Sequence, residues 1–219
     1  MQEIYLGRIV AIALTPSGKP ALLYRISSRS FPNRRAEIST AGDIVTIVPN
    51  PGHESDIRKN PYISYNCVRI LGTNAVFTNG SHTDPIADKM TLGLPARDAI
   101  VLSLLALDYE KDSYATPRIA AVCESSRGLG WLGIVRQDGL DVRSFPLEAG
   151  KAIHLSTYSH NIPTRHRQSD FGVETPEEAC ELAISGGVFR YFTHPVTAVA
   201  AVWETDSFRL AVKDASPCL

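Results

Sequence analysis

The segment Ala96 to Leu107 most constrains what this chain can fold into. Pro95 opens it, and Ile100, Val101, Leu104, Leu105 and Leu107, with Leu102 and Ala106, make it apolar almost all round. A helix without a polar face is expected to lie buried between layers rather than along a surface. What precedes it reads as strands. The apolar run Ile4 to Leu14, broken by Gly7 and Arg8, meets the turn cluster Thr15-Pro16-Ser17-Gly18-Lys19-Pro20 and returns as Ala21 to Ser27, a hairpin. Asp43 to Val48, Tyr62 to Leu71 and Asn74 to Thr78 continue the strands, and the prolines of Pro49 to Pro61 mark a loop. Asp84 can N-cap a short helix with Pro85 at its first position, ending before Gly93.

Strands return after the apolar helix, at Ile119 to Cys123, Trp131 to Arg136, Leu140 to Phe145 and Ala152 to Tyr158. Thr175-Pro176-Glu177-Glu178 forms a capping box for one more helix, stopped at Gly186-Gly187. Thr197 to Trp203 and Ser207 to Val212 close the pattern. Strands outnumber helices and neighbours are mostly hairpins, which predicts an α+β fold of stacked antiparallel sheets with helices on the outer faces. No repeat or linker divides the 219 residues, so a single domain is expected.

Composition excludes several functions. A net charge of -1 argues against a nucleic-acid binder, which would carry a basic stripe. No run is long and apolar enough for a membrane helix. The start, Met1-Gln2-Glu3-Ile4-Tyr5, lacks the basic and apolar regions of a signal peptide, so a soluble cytoplasmic protein is expected. Cys67, Cys123, Cys180 and Cys218 are scattered without metal or redox spacing, and the histidines form no metal pattern, so no metal is expected.

Against that neutral background, Ser27-Ser28-Arg29-Ser30-Phe31-Pro32-Asn33-Arg34-Arg35 concentrates arginines without an acid. Guanidinium forks presented by a loop suit a small anion. Three further segments are donor-rich. In Asn60-Pro61-Tyr62-Ile63-Ser64-Tyr65-Asn66, a strand would put Tyr62, Ser64 and Asn66 on one face. Asn79-Gly80-Ser81-His82-Thr83-Asp84-Pro85 feeds a helix N-terminus, which favours anions. The stretch from Tyr158 to Asp170 holds His160, Arg165 and His166. Each has an ordinary structural explanation as turn, cap or ion pair. Together they make the inventory of a site for a phosphorylated polar substrate.

These blocks, together with Tyr5-Leu6-Gly7-Arg8, Leu104-Leu105-Ala106-Leu107-Asp108-Tyr109-Glu110-Lys111-Asp112 and Thr116-Pro117-Arg118-Ile119, resemble the archaeal-type IMP cyclohydrolase family. The resemblance runs in order through most of the chain up to about Cys123. It implies a four-layer αββα sandwich of two mostly antiparallel sheets, similar to N-terminal-nucleophile hydrolases, although Met1-Gln2 offers no nucleophile of that kind. It further implies a homotetramer that uses no cofactor and closes 5-formamidoimidazole-4-carboxamide ribotide, a purine precursor, to inosine monophosphate with loss of water. The same resemblance points to Arg34 and Tyr62 as reactive groups, with Glu110 as base or arginine partner and Lys111 as a further catalytic candidate. Arg29, Asn33, Tyr65, Asn66, Asn79, Ser81, His82, Arg165 and His166 are the candidates for substrate binding. The alternatives are a purine-nucleotide-binding protein without activity and a small amidohydrolase on the same fold.

Overall fold

The computed structural model describes residues 3–216; Met1, Gln2 and residues 217–219, with Cys218, lie outside the described residues. The chain runs β1 (Arg8–Leu14), β2 (Pro20–Ser27), β3 (Arg34–Ile38), β4 (Ile44–Pro49), α1 (Asp56–Lys59), β5 (Tyr65–Leu71) and β6 (Asn74–Thr78). The helices α2 (Thr83–Thr91) and α3 (Ala96–Leu107) follow, then β7 (Arg118–Glu124), β8 (Leu129–Arg136), β9 (Gly139–Pro146), β10 (Lys151–Ser156) and β11 (Gln168–Asp170). Last come α4 (Pro176–Ser185), β12 (Pro195–Glu204) and β13 (Ser207–Asp214).

Two antiparallel sheets result. One has six strands in the order β11-β10-β1-β2-β12-β13, the other seven in the order β3-β4-β5-β6-β7-β8-β9. The period of two along each strand sorts residues between layers. Val10, Ile12, Tyr24 and Ile26 of the first sheet meet Val45, Ile47, Cys67, Phe77 and Ala121 of the second in a shared core. The opposite residues of the first sheet, Ile9, Ala11, Leu23 and Ala200, pack on Ala179, Cys180 and Ala183 of α4. Behind the second sheet, Val76, Ala120 and Val122 pack on Ile86 of α2 and Ala99, Ile100 and Leu104 of α3. Strands covered on both faces explain why β1 and β2 read as continuous apolar runs rather than as alternation.

Four expectations need correction. Helix α3 has the predicted bounds but is not buried between layers: Leu102 is 45% exposed and Leu105 68%. It lies outermost on the second sheet, so only one of its faces finds cover. Arg34 and Arg35 do not belong to a loop; they open β3, whose Arg34 N–H follows a tight turn from Pro32. The strand expected from Tyr62 begins at Tyr65, because Asn60 caps a 3₁₀ turn over Pro61–Ile63 by accepting the Tyr62 N–H at 2.8 Å. Tyr62, Ser64 and Asn66 therefore do not share a strand face. Finally, Asp84 is not the N-cap of α2 but sits inside its first turn, where its carboxylate accepts from Asn66 and Arg69. No helix among the described residues is long and apolar enough to cross a membrane.

Candidate active site

The site is organised by the chain reversal between α3 and β7. Helix α3 ends at Asp108, which takes φ 54°, and Ala115 takes φ 47° shortly after. Two residues in the left-handed region fold residues 108–117 into a tight loop. Asp112 fastens it by accepting from the Thr116 N–H at 2.9 Å and the Thr116 hydroxyl at 2.7 Å. The Glu110 N–H donates to the Thr116 carbonyl at 2.8 Å. The loop thereby turns Glu110 inward while Lys111 points out. The Glu110 carboxylate is 1% exposed, whereas Lys111 pairs with Asp108 on the surface and lies 3.5 Å above the Tyr109 ring.

Glu110 lies between two arginines. Arg8 Nη2 donates to its Oε2 at 2.9 Å, and Arg118 Nη1 stands 3.9 Å from its Oε1. Arg8 enters from β1, just after Gly7, whose φ of +73° and close approach to the Thr157 hydroxyl leave no space for a side chain. Arg118 enters from the first position of β7, and its Nε donates to the Asp108 carbonyl at 2.8 Å. Its guanidinium carbon lies 5.6 Å from the centre of the Tyr62 ring. Buried Arg34 reaches the same region from β3, with Tyr65, Arg8, Tyr24 and Glu110 as its electrostatic neighbours. The Tyr24 and Tyr65 hydroxyls share a hydrogen bond of 2.6 Å beneath them.

The electrostatics follow from this packing. Burial raises the Glu110 carboxyl above the ordinary glutamate range, while the charges of Arg8 and Arg118 pull the other way. Burial lowers the Arg34 guanidinium and raises the Tyr65 phenol. Arg8 Nε, Glu110 Oε1 and Arg118 Nη1 are buried without a hydrogen-bond partner in the protein. Unpaired polar atoms of this kind are costly and concentrate where a ligand or catalytic step uses them.

Arg8 also lines a cavity of about 300 Å³, together with Tyr5, Ser28, Arg29, Ser30, Phe31, Asn60, Asp112, Tyr114 and Tyr158. That volume lies at the small end of the range for small-molecule sites. At its wall the Arg29 guanidinium stacks 4.2 Å above the Tyr5 ring, which stacks in turn on Tyr158.

Of the sequence candidates, only Arg29 lines the cavity. Arg34, Tyr62, Tyr65 and Glu110 gather beside it around Arg8 and Arg118. The remaining candidates are engaged elsewhere or exposed. Asn33 is half-buried and meets Asn50 through its backbone carbonyl. Asn66 faces α2 on the far side of its sheet, bonded to Thr46 and Asp84. Asn79 is fully buried and clamps the start of β7, donating to the Pro117 carbonyl and accepting from the Ile119 N–H. Ser81 is exposed. His82 donates from Nε2 to the Ile119 carbonyl at 2.9 Å, and burial lowers its imidazole to about 3. Arg165 pairs with Glu148, and exposed His166 follows in a 3₁₀ turn.

Arg8, Arg118, Tyr5, Asn60, Asp112 and Tyr158 lie in segments that the sequence singles out, but none is a candidate site residue there; Tyr114 joins the site from outside those segments. For Arg8 and Arg118 the signal is a charge beside an apolar strand run, which only a partner across the fold can justify.

Comparison with known proteins points the same way. A family model described as IMP cyclohydrolase-like protein matches residues 5–207. The IMP cyclohydrolase of Methanosphaera stadtmanae is 46% identical over 207 residues, covering 93% of this chain and 98% of that one. That of Methanococcus aeolicus is 44% identical over 204 residues, with 93% and 97% covered. That of Methanocaldococcus jannaschii is 38% identical over 210 residues, with 96% and 99% covered.

Proposed function

The chain belongs to the IMP cyclohydrolase-like family, and from that premise we propose that it closes 5-formamidoimidazole-4-carboxamide ribotide to inosine monophosphate with loss of water. The observation that carries the reading is the buried Glu110 carboxylate bonded to Arg8, a residue that also lines the cavity.

The reaction is intramolecular. The carboxamide nitrogen attacks the neighbouring formyl carbon, the C–N bond forms, and the carbonyl electrons move onto the formyl oxygen. Holding the two groups in the closing rotamer supplies an orientation advantage. Arg34 and Arg8 are the donors for the developing charge. Glu110, with its proton affinity raised by burial, takes the proton that the nitrogen loses. Tyr62 relays that proton from Glu110 to the formyl oxyanion, giving the carbinolamine hydroxyl. A second proton, lost by the former formamido nitrogen, then passes to the hydroxyl, and the C–O bond breaks to release water as the ring C=N bond forms. Three guanidinium groups, those of Arg8, Arg34 and Arg118, face one buried carboxylate, an excess of positive charge suited to an anionic substrate. Arg29, stacked on Tyr5 at the cavity wall, is the anchor for the phosphate.

We further infer a single domain, which the core shared by both sheets supports. The two sheets flanked by helices suit the αββα layering of N-terminal-nucleophile hydrolases. The uncovered leucines of α3 accord with a homotetramer, and we assign the protein to the cytoplasm, where nucleotide synthesis proceeds.

The direct test follows ultraviolet absorbance on adding the formylated ribotide. Ring closure at catalytic enzyme concentration is the expected result. Nucleotide binding by calorimetry without closure would leave only a binding protein.

A further inference from the structure

We propose that Arg118 is a positioning residue for ring closure: it holds Glu110 and Tyr62 in one fixed arrangement, and Gly80 supplies the space its guanidinium occupies. The proposal rests on the cyclohydrolase reading above.

Arg118 is anchored before it reaches either partner. Its Nε donates to the Asp108 carbonyl at 2.8 Å, and its side chain is 5% exposed. The far end of the guanidinium is left with two neighbours of functional interest, Glu110 Oε1 at 3.9 Å and the Tyr62 ring at 5.6 Å. A planar cation can serve both at once, through one edge to the carboxylate and one face to the ring. A purely structural ion pair would use the fork fully, yet Nη1 and Glu110 Oε1 are both buried without a hydrogen-bond partner.

Gly80 shows how closely the arrangement is built. A methyl group there would come 2.7 Å from Arg118 Nη1, 3.3 Å from His82 Nδ1 and 3.5 Å from Glu110 Oε1. Three polar atoms from three segments thus converge on the one residue without a side chain. His82 donates from Nε2 to a backbone carbonyl, which leaves Nδ1 as an acceptor facing the same point.

The charged and titratable groups around Glu110 come from several elements. They are Arg8 of β1, Arg34 of β3, Arg118 of β7 and Asp112 of its own loop, with His82 from the turn before α2. Arg8, Arg34 and Arg118 favour the carboxylate form and Asp112 opposes it. Removing the Arg118 charge therefore raises the proton affinity of Glu110.

The test compares Arg118→Gln, Arg118→Lys and Gly80→Ala with the wild-type chain. The Glu110 carboxyl is titrated by infrared difference spectroscopy in the free protein, with Glu110→Gln as the blank. Single-turnover ring closure is then measured against pH, and product affinity by calorimetry. Arg118→Gln is expected to move the Glu110 midpoint upward by about one pH unit, and the acid limb of the rate profile with it. The rate itself should fall by roughly 10- to 100-fold, the scale of a misplaced catalytic group. Affinity for inosine monophosphate should stay within about threefold. Arg118→Lys should restore the midpoint but not the full rate, because a point charge lacks the fork and the flat face. Gly80→Ala keeps the charge and displaces the guanidinium, so it should slow closure too; with Arg118→Lys it carries the test if the glutamine variant fails to fold. An unmoved Glu110 midpoint, or rate and affinity falling together, overturns the proposal. A wild type that binds the ribotide without closing it overturns the cyclohydrolase reading as well, and so separates the two failures.

Discussion

Tyr62 and Glu110 reach the Arg118 guanidinium from separate segments, Tyr62 from a 3₁₀ turn and Glu110 from the loop between the positive-φ residues Asp108 and Ala115. Replacing Tyr62 with phenylalanine keeps the ring against Arg118 and deletes one hydroxyl. If the hydroxyl relays a proton, single-turnover closure should fall by about a hundredfold or more, with product affinity nearly unchanged by calorimetry. A near-wild-type rate would remove Tyr62 from the chemistry. Glu110→Gln tests both chemistry and stability. It leaves Arg8 and Arg118 without their buried counter-charge, a change on the order of 3–5 kcal/mol in other buried pairs. The partial exposure of Arg8 draws that toward the lower end. Denaturant unfolding should therefore show a clear loss alongside the loss of turnover; unchanged stability would mean that the pair holds little of the fold.

The elements show where local rules decide and where they do not. Helix α4 follows its capping box: Thr175 accepts the Glu178 N–H and Glu178 reaches back to the Thr175 N–H. Thr175→Ala should cost about 1 kcal/mol, which for a chain of this size lowers the melting temperature by roughly 2–4 °C. A calorimetric scan checks it. Helix α3 obeys its own sequence in length but leaves Leu102 and Leu105 outward. If those leucines seat a neighbouring subunit, the double substitution Leu102→Lys and Leu105→Lys should shift the sedimentation coefficient to a smaller species. The far-ultraviolet circular dichroism of each subunit should be unchanged. An unaltered sedimentation profile would move the subunit contact elsewhere.

At the scale of the whole molecule, buried imidazoles set how the fold responds to acid. His82 and His154 are each lowered to about 3, by burial first, with Arg118 adding to the shift of His82 and His160 to that of His154. The unfolded chain takes up a proton at each below the ordinary histidine value, about pH 6.5, while the folded chain stays neutral until about pH 3. Between those values stability falls as the pH falls, by about 1.4 kcal/mol per pH unit for each histidine. Glu110 acts in the opposite sense around its own midpoint, because its folded carboxyl holds a proton to higher pH than the unfolded one. Thermal melts from pH 7 to pH 4 should show the decline, and His154→Gln should flatten it. A slope unaffected by His154→Gln would mean that the ring takes up a proton in the folded state.

Much of this protein is determined by the sequence alone, because strands, helices and caps depend on neighbours close along the chain. The apolar runs, the turn clusters and the Thr175 box locate most strands and both longer helices, and the ordered motifs point to the family. The site was legible only in part. Arg34, Tyr62 and Glu110 stood out through the resemblance, but Arg8 and Arg118 are 110 residues apart in sequence and meet only across the fold, at one carboxylate. The donors of Asn66, Asn79 and His82 looked equally suited to a ligand, and the tertiary structure spent them on Asp84, on β7 and on a backbone carbonyl. A side chain's chemistry can be read from its type, but which partner satisfies it depends on the direction it points after the sheets have stacked. That direction depends on where a strand begins, and at Tyr62 a single Asn60 cap was enough to change it.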